Sequence, residues 1–560
     1  MSPEGTPLDA ASEPDRTDLL SLSGVVRVAI MFGFGLLIVM SWTRNVNWDE
    51  FYFLSKIHDY LAGRLETPMQ TFHVHLFIWL ARMPGDEMMQ IFVARLCMTG
   101  LFVWTAWSIH RIAIQLSDQQ TADIAVLAFL TSGFALAHGT SFRADPIAAA
   151  FLMGALAIMM TERMSLWQII VVATLSALAL LVTIKAALYL PVFLGVLVWR
   201  SDRIAITGRI ALAGLIALPI AVGLFTLHEG TLPAPPETGA LDNAGAAASK
   251  TLVQSGLFPR SETALLWALL SLGPTTLALI GILRAGSLRR GVLLVSFALP
   301  LIVSVIFYRN AFPYFFPYIV PPLMVVAAVG AARLRNGSGA LLTGLIVLSL
   351  ASGIWQGAKA FGENANLQRA TIAEVHRLFP EPVHYIDHNA MIATFPRELF
   401  FMSSWGIENY RDAGVPVMAD YIQEHAPPLL LANRLALLET MAGTEVIDHP
   451  HGLLPEDQAV LRASYIHYSG PIWLAGLEAT LGSETVSGRL PIPGRYRLES
   501  PVPVVIDGRR VSDGEVIEGS GEVEMSGPVG IEVRLIWHTD TVQDDGALPL
   551  GWVYAPFWKL

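Results

Sequence analysis

Long apolar runs separated by short polar links fill residues 25 to 358, and beyond them the pattern changes. Most runs approach the roughly 20 residues an α-helix needs to cross the hydrocarbon core of a bilayer. Eleven spans are expected, near 25–43, 88–110, 122–140, 144–161, 166–184, 186–199, 204–227, 263–283, 291–308, 313–331 and 339–358. The pair 166–184 and 186–199 is short and carries Lys185 at its junction. Ahead of the first run, SPEGTPLDAASEPDRTD lacks the basic region and small-residue cleavage site of a signal peptide. Residues 1–24 therefore read as a disordered cytoplasmic tail and the first run as an uncleaved anchor. Residues 44–87 form a first outer loop, where FYFLSKIHDYLAGR has apolar positions at helical spacing and suits the membrane interface.

Residues 359–463 mix helical stretches with two buried-strand patterns, PVHYIDH and PPLLLANR, and read as an α/β region. From 464 to 560 short alternating segments such as PVPVVIDGRRV and GIEVRLIWH are punctuated by Gly, Pro and Asp, which predicts a β-rich sandwich or barrel-like module. The expected fold class is a polytopic α-helical membrane protein of about eleven spans with a C-terminal soluble α/β plus β-rich domain.

Composition supports the division. Of 560 residues 53% are hydrophobic and 15% charged, against about 25% charged in ordinary soluble proteins. A conventional soluble enzyme, a coiled coil and a disordered chain are excluded. Net charge is −11, and acids outnumber bases about two to one after residue 358. That balance argues against a nucleic-acid partner, which needs a basic face. Cys97 is the single cysteine, so no intramolecular disulfide can form. Arg111, Arg163, Arg200 with Arg203, Arg284 with Arg289 and Arg290, and Arg333 with Arg335 mark alternate loops as cytoplasmic. With an odd span count, the tail lies inside and residues 359–560 outside.

Four charged features then fall toward the outer ends of spans. Trp48-Asp49-Glu50 follows the first span, and its acids are either solvated loop residues or part of a site. Ser141-Phe142-Arg143-Ala144-Asp145-Pro146 is a tight turn between apolar runs, where Arg143 and Asp145 can pair. Lys185 sits in LLVTIKAALYLPVF, and Arg309 in YRNAFPY beside Tyr308 and Tyr314. Snorkelling is the bland account of both cations; ionisable groups at membrane depth are otherwise functional. Together they put carboxylates opposite cations beside lipid, an arrangement suited to a lipid-linked phosphate.

These segments resemble the GT-C glycosyltransferases, with the protein O-mannosyltransferases and the bacterial lipid A aminoarabinose transferases nearest. Asp49-Glu50 is similar to the family's first-loop acidic motif, Arg143-x-Asp145-Pro146 to a second feature, Thr183-x-Lys185 to a third, and YRNAFPYFFPYIVPP to the late-span segment. The likeness covers about residues 25 to 358. Where the family often shows a proline pair before its second span, this chain reads His73-Val74-His75, which leaves sugar and acceptor open.

The resemblance implies transfer of a sugar from a polyprenyl-phosphate donor to a hydroxyl of an envelope glycan, glycolipid or protein, at the outer face of a bacterial cytoplasmic membrane. A phosphate leaving group, with a second pKa near 6, needs little acid assistance. A glycosidase, by contrast, requires a second carboxylic acid. Asp49 is assigned as base, Glu50 to orienting Asp49 or the acceptor, and Asp145 to the sugar or acceptor pocket; adjacent carboxylates point in different directions, so the reverse assignment of Asp49 and Glu50 stays open. Arg143, Lys185 and Arg309 are assigned to the donor phosphate, and Trp48, His75, Tyr308 and Tyr314 to the substrate pocket. One in-line displacement inverts the anomeric centre. No cofactor is required, a divalent metal being a lesser option. His73-x-His75 and Asp448-His449-Pro450-His451 have ligand-type spacing without a third and fourth ligand, and His384, Asp387 and His388 are weaker still. A flippase of lipid-linked sugars and a non-catalytic glycan-binding scaffold are the competing readings. The first predicts charges deep in several spans and repeat symmetry; neither stands out.

Overall fold

The computed structural model describes residues 21–233, 256–443, 449–540 and 547–554. Expectations for the tail 1–20, for 234–255 of the third outer loop, for Asp448, and for 541–546 and 555–560 lie outside the described residues.

All eleven apolar runs are helical, but among the described residues only five are single helices long and apolar enough to cross a bilayer. These are Leu22–Thr43, Glu87–Leu116, Ile204–Glu229, Leu288–Phe307 and the stretch beginning at Gly339; two bent pairs bring the number to seven. The about eleven expected spans are thus met by helices of which several are bent, short or interrupted. The run 263–283 becomes Ser261–Leu270 and Leu272–Leu283, bent by 90°. Gly273 and Pro274 open the second piece, and a Cβ on Gly273 would lie 2.6 Å from the Leu345 carbonyl oxygen, so close approach of the neighbouring helix fixes the bend. The run 313–331 is bent by 60°, where Pro321 and Pro322 have no N–H to continue the preceding turn. Ala144–Met159 and Leu166–Val182 are shorter apolar helices. The run 122–140 breaks after Thr131, and 186–199 opens as a 3-10 segment, Ile184–Tyr189, before Leu190–Arg200.

The basic loops meet at one end of the bundle. Arg335 pairs with Asp118 at 2.8 Å, Arg289 with Asp202 at 2.6 Å, and Arg290 donates to the Leu116 carbonyl at 2.5 Å. Leu116 ends a helix of 30 residues that starts at Glu87. At 1.5 Å per residue that helix is about 45 Å long, so Glu87 and residues 44–87 lie at the opposite end.

The soluble domain contains one continuous nine-stranded sheet in the order β1-β2-β4-β9-β5-β8-β6-β7, with β3 also on β4. The strands are β1 (Tyr385–Ile386), β2 (Leu429–Leu431), β3 (Tyr465–Ser469), β4 (Ile472–Thr480), β5 (Val486–Glu499), β6 (Val504–Ile506), β7 (Arg509–Val511), β8 (Val516–Ser526) and β9 (Glu532–Trp537). Among the described strands only β1 and β2 pair in parallel. β4 joins the halves: Leu474 faces Leu429 of β2, and Leu477 faces Leu535 of β9. The expected separate modules at 359–463 and 464–560 therefore share one sheet. Asp507 and Gly508, both at positive φ, make the tight β6–β7 hairpin that an Asp-Gly pair favours.

The domain is docked closely on residues 44–87. Gln368 bridges the Val46 N–H (2.8 Å) and carbonyl (2.7 Å), and His376 and Thr394 meet Glu87 at 2.8 and 2.7 Å. Trp48 and Phe51 share a hydrophobic core with Tyr385, Leu429 and Tyr554.

Candidate functional site

Asn47 starts the helix Trp48–Leu61. Its side-chain oxygen accepts from the Asp49 N–H (2.9 Å), and Glu50 Oε1 accepts from the Asn47 N–H (3.0 Å). This is a capping box, in which two orphan donors of the first turn are satisfied reciprocally. Successive helical residues point about 100° apart, so the two acids part company. Glu50 is fully buried: Arg95 grips it with Nε at 2.8 Å and Nη2 at 2.6 Å, and the Phe142 N–H donates to it at 2.8 Å. Glu50 was expected at the reaction centre; instead both its oxygens are consumed in joining three segments, and it does not reach the cavity. Burial alone would raise its carboxyl, but the Arg95 charge and hydrogen bonds, with the Phe142 and Asn47 N–H groups, outweigh that and hold it below the usual range.

Asp49 faces the other way and retains 15% side-chain exposure. Arg143 donates to it through Nη1. Arg143 precedes the helix Ala144–Met159 in extended backbone, and its Nε lies 3.5 Å from Asp145 Oδ2. Asp145 occupies the first turn of that helix, where the macrodipole favours an anion, and accepts from Lys185 Nζ. The 3-10 turn after Thr183 sets Lys185, whose N–H is capped by Thr183 Oγ1 at 3.4 Å. Four residues from three segments thus alternate in sign: Asp49, Arg143, Asp145, Lys185. The Tyr314 ring packs on the Arg143 guanidinium at 3.6 Å, Phe315 lies 5.3 Å from Lys185 Nζ, and Tyr308 packs on Phe315 at 4.7 Å.

Two expected members are held elsewhere. Arg309 pairs with Glu408 of the soluble domain at 2.6 Å, so its charge is committed there and not to the Arg143–Lys185 group. His75 Nε2 meets His228 Nδ1 at 2.8 Å, and His228 Nε2 meets Thr71 Oγ1 at 2.9 Å. Its ring packs on Phe72 and Tyr60, a helix-loop contact away from Asp49. The partner His73 is buried, which pushes it down to about 4, and bonds the Phe53 carbonyl oxygen at 3.1 Å.

Over Asp49 opens a cavity of about 230 Å³, walled by Trp48, Phe312 and Tyr314 on the membrane side and by Phe401, Ser403, Trp405 and Arg434 of the soluble domain. Aromatic faces with a few hydroxyl, carboxylate and cationic groups are the makings of a binding site for a polar ring. Arg434 was not foreseen. Its guanidinium lies 3.4 Å from the Trp48 ring centre, and its Nη1 is 3.3 Å from His388 Nε2. Burial, then the Arg434 and Arg397 charges, push His388 well below the ordinary imidazole range, so it is a neutral acceptor. Burial lowers Arg434 to about 10, and it stays a cation at neutral pH. Among the described residues no carboxylate pairs with it. The wall is tied down by Asp387, which accepts from the Ala390 and Met391 N–H groups at 2.7 Å and pairs with Arg397 at 2.7 Å. Nothing local in the sequence links Arg434 to Trp48, 386 residues apart; Glu50, by contrast, sat in a legible Asn-x-x-Glu capping pattern.

For metals, His384, Glu398 and His425 are the one group of three or more candidate ligands among the described residues, their ligand atoms all within 4.8 Å of one another.

No family model matches the chain, and no curated protein does. Among solved structures it is similar to ArnT from Cupriavidus metallidurans bound to undecaprenyl phosphate, with 14% identity and a TM-score of 0.56 over 77% of this chain and 97% of that one. The apo form of the same protein matches with 13% identity and a TM-score of 0.52 over 73% and 93%. The Archaeoglobus fulgidus oligosaccharyltransferase also matches, with 12% identity and a TM-score of 0.49 over 88% and 76%. The ArnT likeness shows a common fold: a polytopic helical membrane protein with a C-terminal β-containing domain.

Proposed function

We propose that this chain is a glycosyltransferase that moves a sugar from a polyprenyl-phosphate donor to a hydroxyl of an envelope glycan, glycolipid or protein. The observation that carries the reading is the alternating Asp49–Arg143–Asp145–Lys185 chain beneath an aromatic cavity, in a fold shared with a protein whose crystal structure holds undecaprenyl phosphate. The acceptor hydroxyl attacks the anomeric carbon in line with the departing phosphate. Its oxygen forms the new glycosidic bond, its proton passes to Asp49, and the C1–O bond to phosphate breaks with inversion. The phosphate goes from a singly charged diester to a monoester of charge near −2. Arg143 as a planar fork and Lys185 as a point charge stabilise that growing charge. Before donor binds, Asp49 and Asp145 hold these cations in place. Trp48, Phe401 and Trp405 supply faces for the sugar rings, and Arg434 is left for an anionic group of the acceptor.

The test is product formation: purified protein in nanodiscs, given a polyprenyl-phosphate sugar and an envelope extract, should yield a glycosylated product by mass spectrometry. Movement of the lipid-linked sugar across vesicles without any product would favour a flippase. Lys185→Ala and Arg143→Ala should each cost at least tenfold in kcat/KM, and Arg143→Lys should recover only part, because the fork is lost. Wild-type kinetics in both alanine variants would misplace the phosphate.

The orientation belongs to the same proposal. The Arg-rich loops face the cytoplasm of a bacterial inner membrane, and the soluble domain lies outside. A cysteine at exposed Ser487 should react with an impermeant thiol reagent in intact spheroplasts; protection until lysis would reverse the topology and remove the outer-face mechanism.

A further inference from the structure

His384, Glu398 and His425 come from three separate segments. His384 immediately precedes β1, Glu398 follows Arg397 in the loop to the cavity wall, and His425 is the last residue of the helix Met418–His425. Each backbone position is anchored by a buried neighbour: Tyr385, Arg397 and Ile422. His384 Nδ1 already lies 3.0 Å from Glu398 Oε2. The two imidazoles lie face to face with centres 4.8 Å apart and planes within 22°. The Tyr421 ring also packs against His425, at 4.7 Å. A further carboxylate, Glu424, has Oε2 3.9 Å from His425 Nε2. The side chains keep 34%, 39% and 20% exposure, so one face is open to water.

Two imidazoles and a carboxylate, with room for water, make the mixed nitrogen and oxygen donor set that zinc takes in four-coordinate sites. Magnesium and calcium prefer oxygen ligands alone. With metal–nitrogen distances of about 2.0–2.1 Å, ligand atoms around a tetrahedral zinc stand roughly 3.3 Å apart. The ligand atoms here all lie within 4.8 Å of one another, and binding would require the partly exposed side chains to turn inward.

We propose that His384, Glu398 and His425 form a binding site for a divalent transition metal of the zinc class, and that the bound ion clamps the cavity wall. Glu398 stands three residues before Phe401 and five before Ser403, both of which line the cavity. His384 stands four residues before His388, whose ring packs edge-on to Trp48. An ion joining these segments to the helix Met418–His425 ties the wall to a third element that the Arg397–Asp387 pair does not reach. The ion takes no part in bond making, and the site stands whether or not the chain transfers sugars.

The test uses the full chain in detergent, stripped with chelator and then given Zn²⁺ or Co²⁺ alone. A single equivalent should be retained through gel filtration, with Co²⁺ showing the intense visible bands of four-coordinate geometry; Mg²⁺ should not compete. His384→Gln and His425→Gln should each weaken Zn²⁺ binding by about a hundredfold or more, loss of a ligand exceeding the cost of losing an outer partner. Glu398→Gln, a near-isosteric change at a partly exposed position, gives the same readout where a histidine variant folds poorly. The His449→Gln/His451→Gln double variant, changed at an exposed pair elsewhere, should bind as wild type. With Zn²⁺, amide exchange across 397–405 should slow. Failure to retain metal, or binding unchanged by all three ligand variants, would overturn the site. Retention with unchanged exchange across 397–405 would overturn the clamp.

Discussion

Asp49→Asn is expected to lower kcat for sugar transfer by about a hundred- to ten-thousand-fold, the usual worth of a positioned general base. Expression, folding and donor binding should persist. The amide is almost isosteric, accepts the Arg143 hydrogen bond with its oxygen, and leaves Arg143 beside Asp145 at 3.5 Å. What it cannot do is take a proton from the acceptor. Asp49 is the carboxylate placed for that task, since it both lines the cavity and touches a candidate phosphate cation. Its pairing with Arg143 has a consequence for timing. While Arg143 is bound to Asp49 the carboxylate oxygen is occupied; a donor phosphate that draws Arg143 away would free it for the acceptor hydroxyl. Arg143→Ala should therefore affect both donor use and kcat, whereas Lys185→Ala should affect donor use chiefly, since Lys185 contacts Asp145 and not Asp49. The kinetics of a flippase or a scaffold would be indifferent to Asp49→Asn, so near-wild-type turnover by the purified variant would sink the mechanism.

Much of the membrane half could be read from the sequence because its cause is local. Apolar runs must be helical in lipid, since each backbone N–H and C=O needs a partner within its own segment. Thus every expected run is helical, and the turn at Arg143 and the interruption at Lys185 lie where charges interrupt the runs. Helix count and straightness were less legible. The bend at Ser271 depends on Leu345 approaching Gly273, and a contact across 72 residues leaves no trace in local hydropathy. The soluble half shows the same division. Asp507-Gly508 announces its hairpin, but the continuous sheet depends on β4 serving two partners, which only the tertiary fold decides.

At the site, the types of residue were legible and their partnerships were not. Asp49, Arg143, Asp145 and Lys185 each stand out as ionisable groups beside apolar runs. That they form one alternating chain follows from helix placement alone. Arg309 had the same local signature as Arg143, yet Glu408 of the other domain holds it. Arg434 had no signature. Its role depends on a domain packing over Trp48, and the strand that precedes it reads like any buried strand.

Glu50→Gln should cost stability and spare the chemistry of the molecules that fold. Glu50 and Arg95 are a buried bidentate pair at 2.6 and 2.8 Å. Arg95 also donates to the Arg44 and Asn45 carbonyls at 2.9 and 2.8 Å. These carbonyls remain in the variant, but the compensating charge does not. Breaking one side of a buried pair typically costs about 3–5 kcal/mol, a large share of a marginal folding free energy of about 5–15 kcal/mol. The variant should therefore express poorly and unfold at a clearly lower temperature in detergent, followed by tryptophan fluorescence, while kcat per folded molecule stays within a few fold of wild type. Removing the pair together, as Glu50→Gln/Arg95→Met, should destabilise by less than the sum of the single changes, because neither charge is then left buried alone. The pH dependence has a definite sign. With the folded carboxyl held below its usual range, the stabilisation is fully present above the unfolded value of about 4.3 and is lost as pH falls through the lower folded value. The Glu50→Gln protein should lack that acid-labile contribution. A Glu50→Gln protein as stable as wild type but without activity would return Glu50 to the reaction centre, and the capping box with its Arg95 fork would then be incidental to folding.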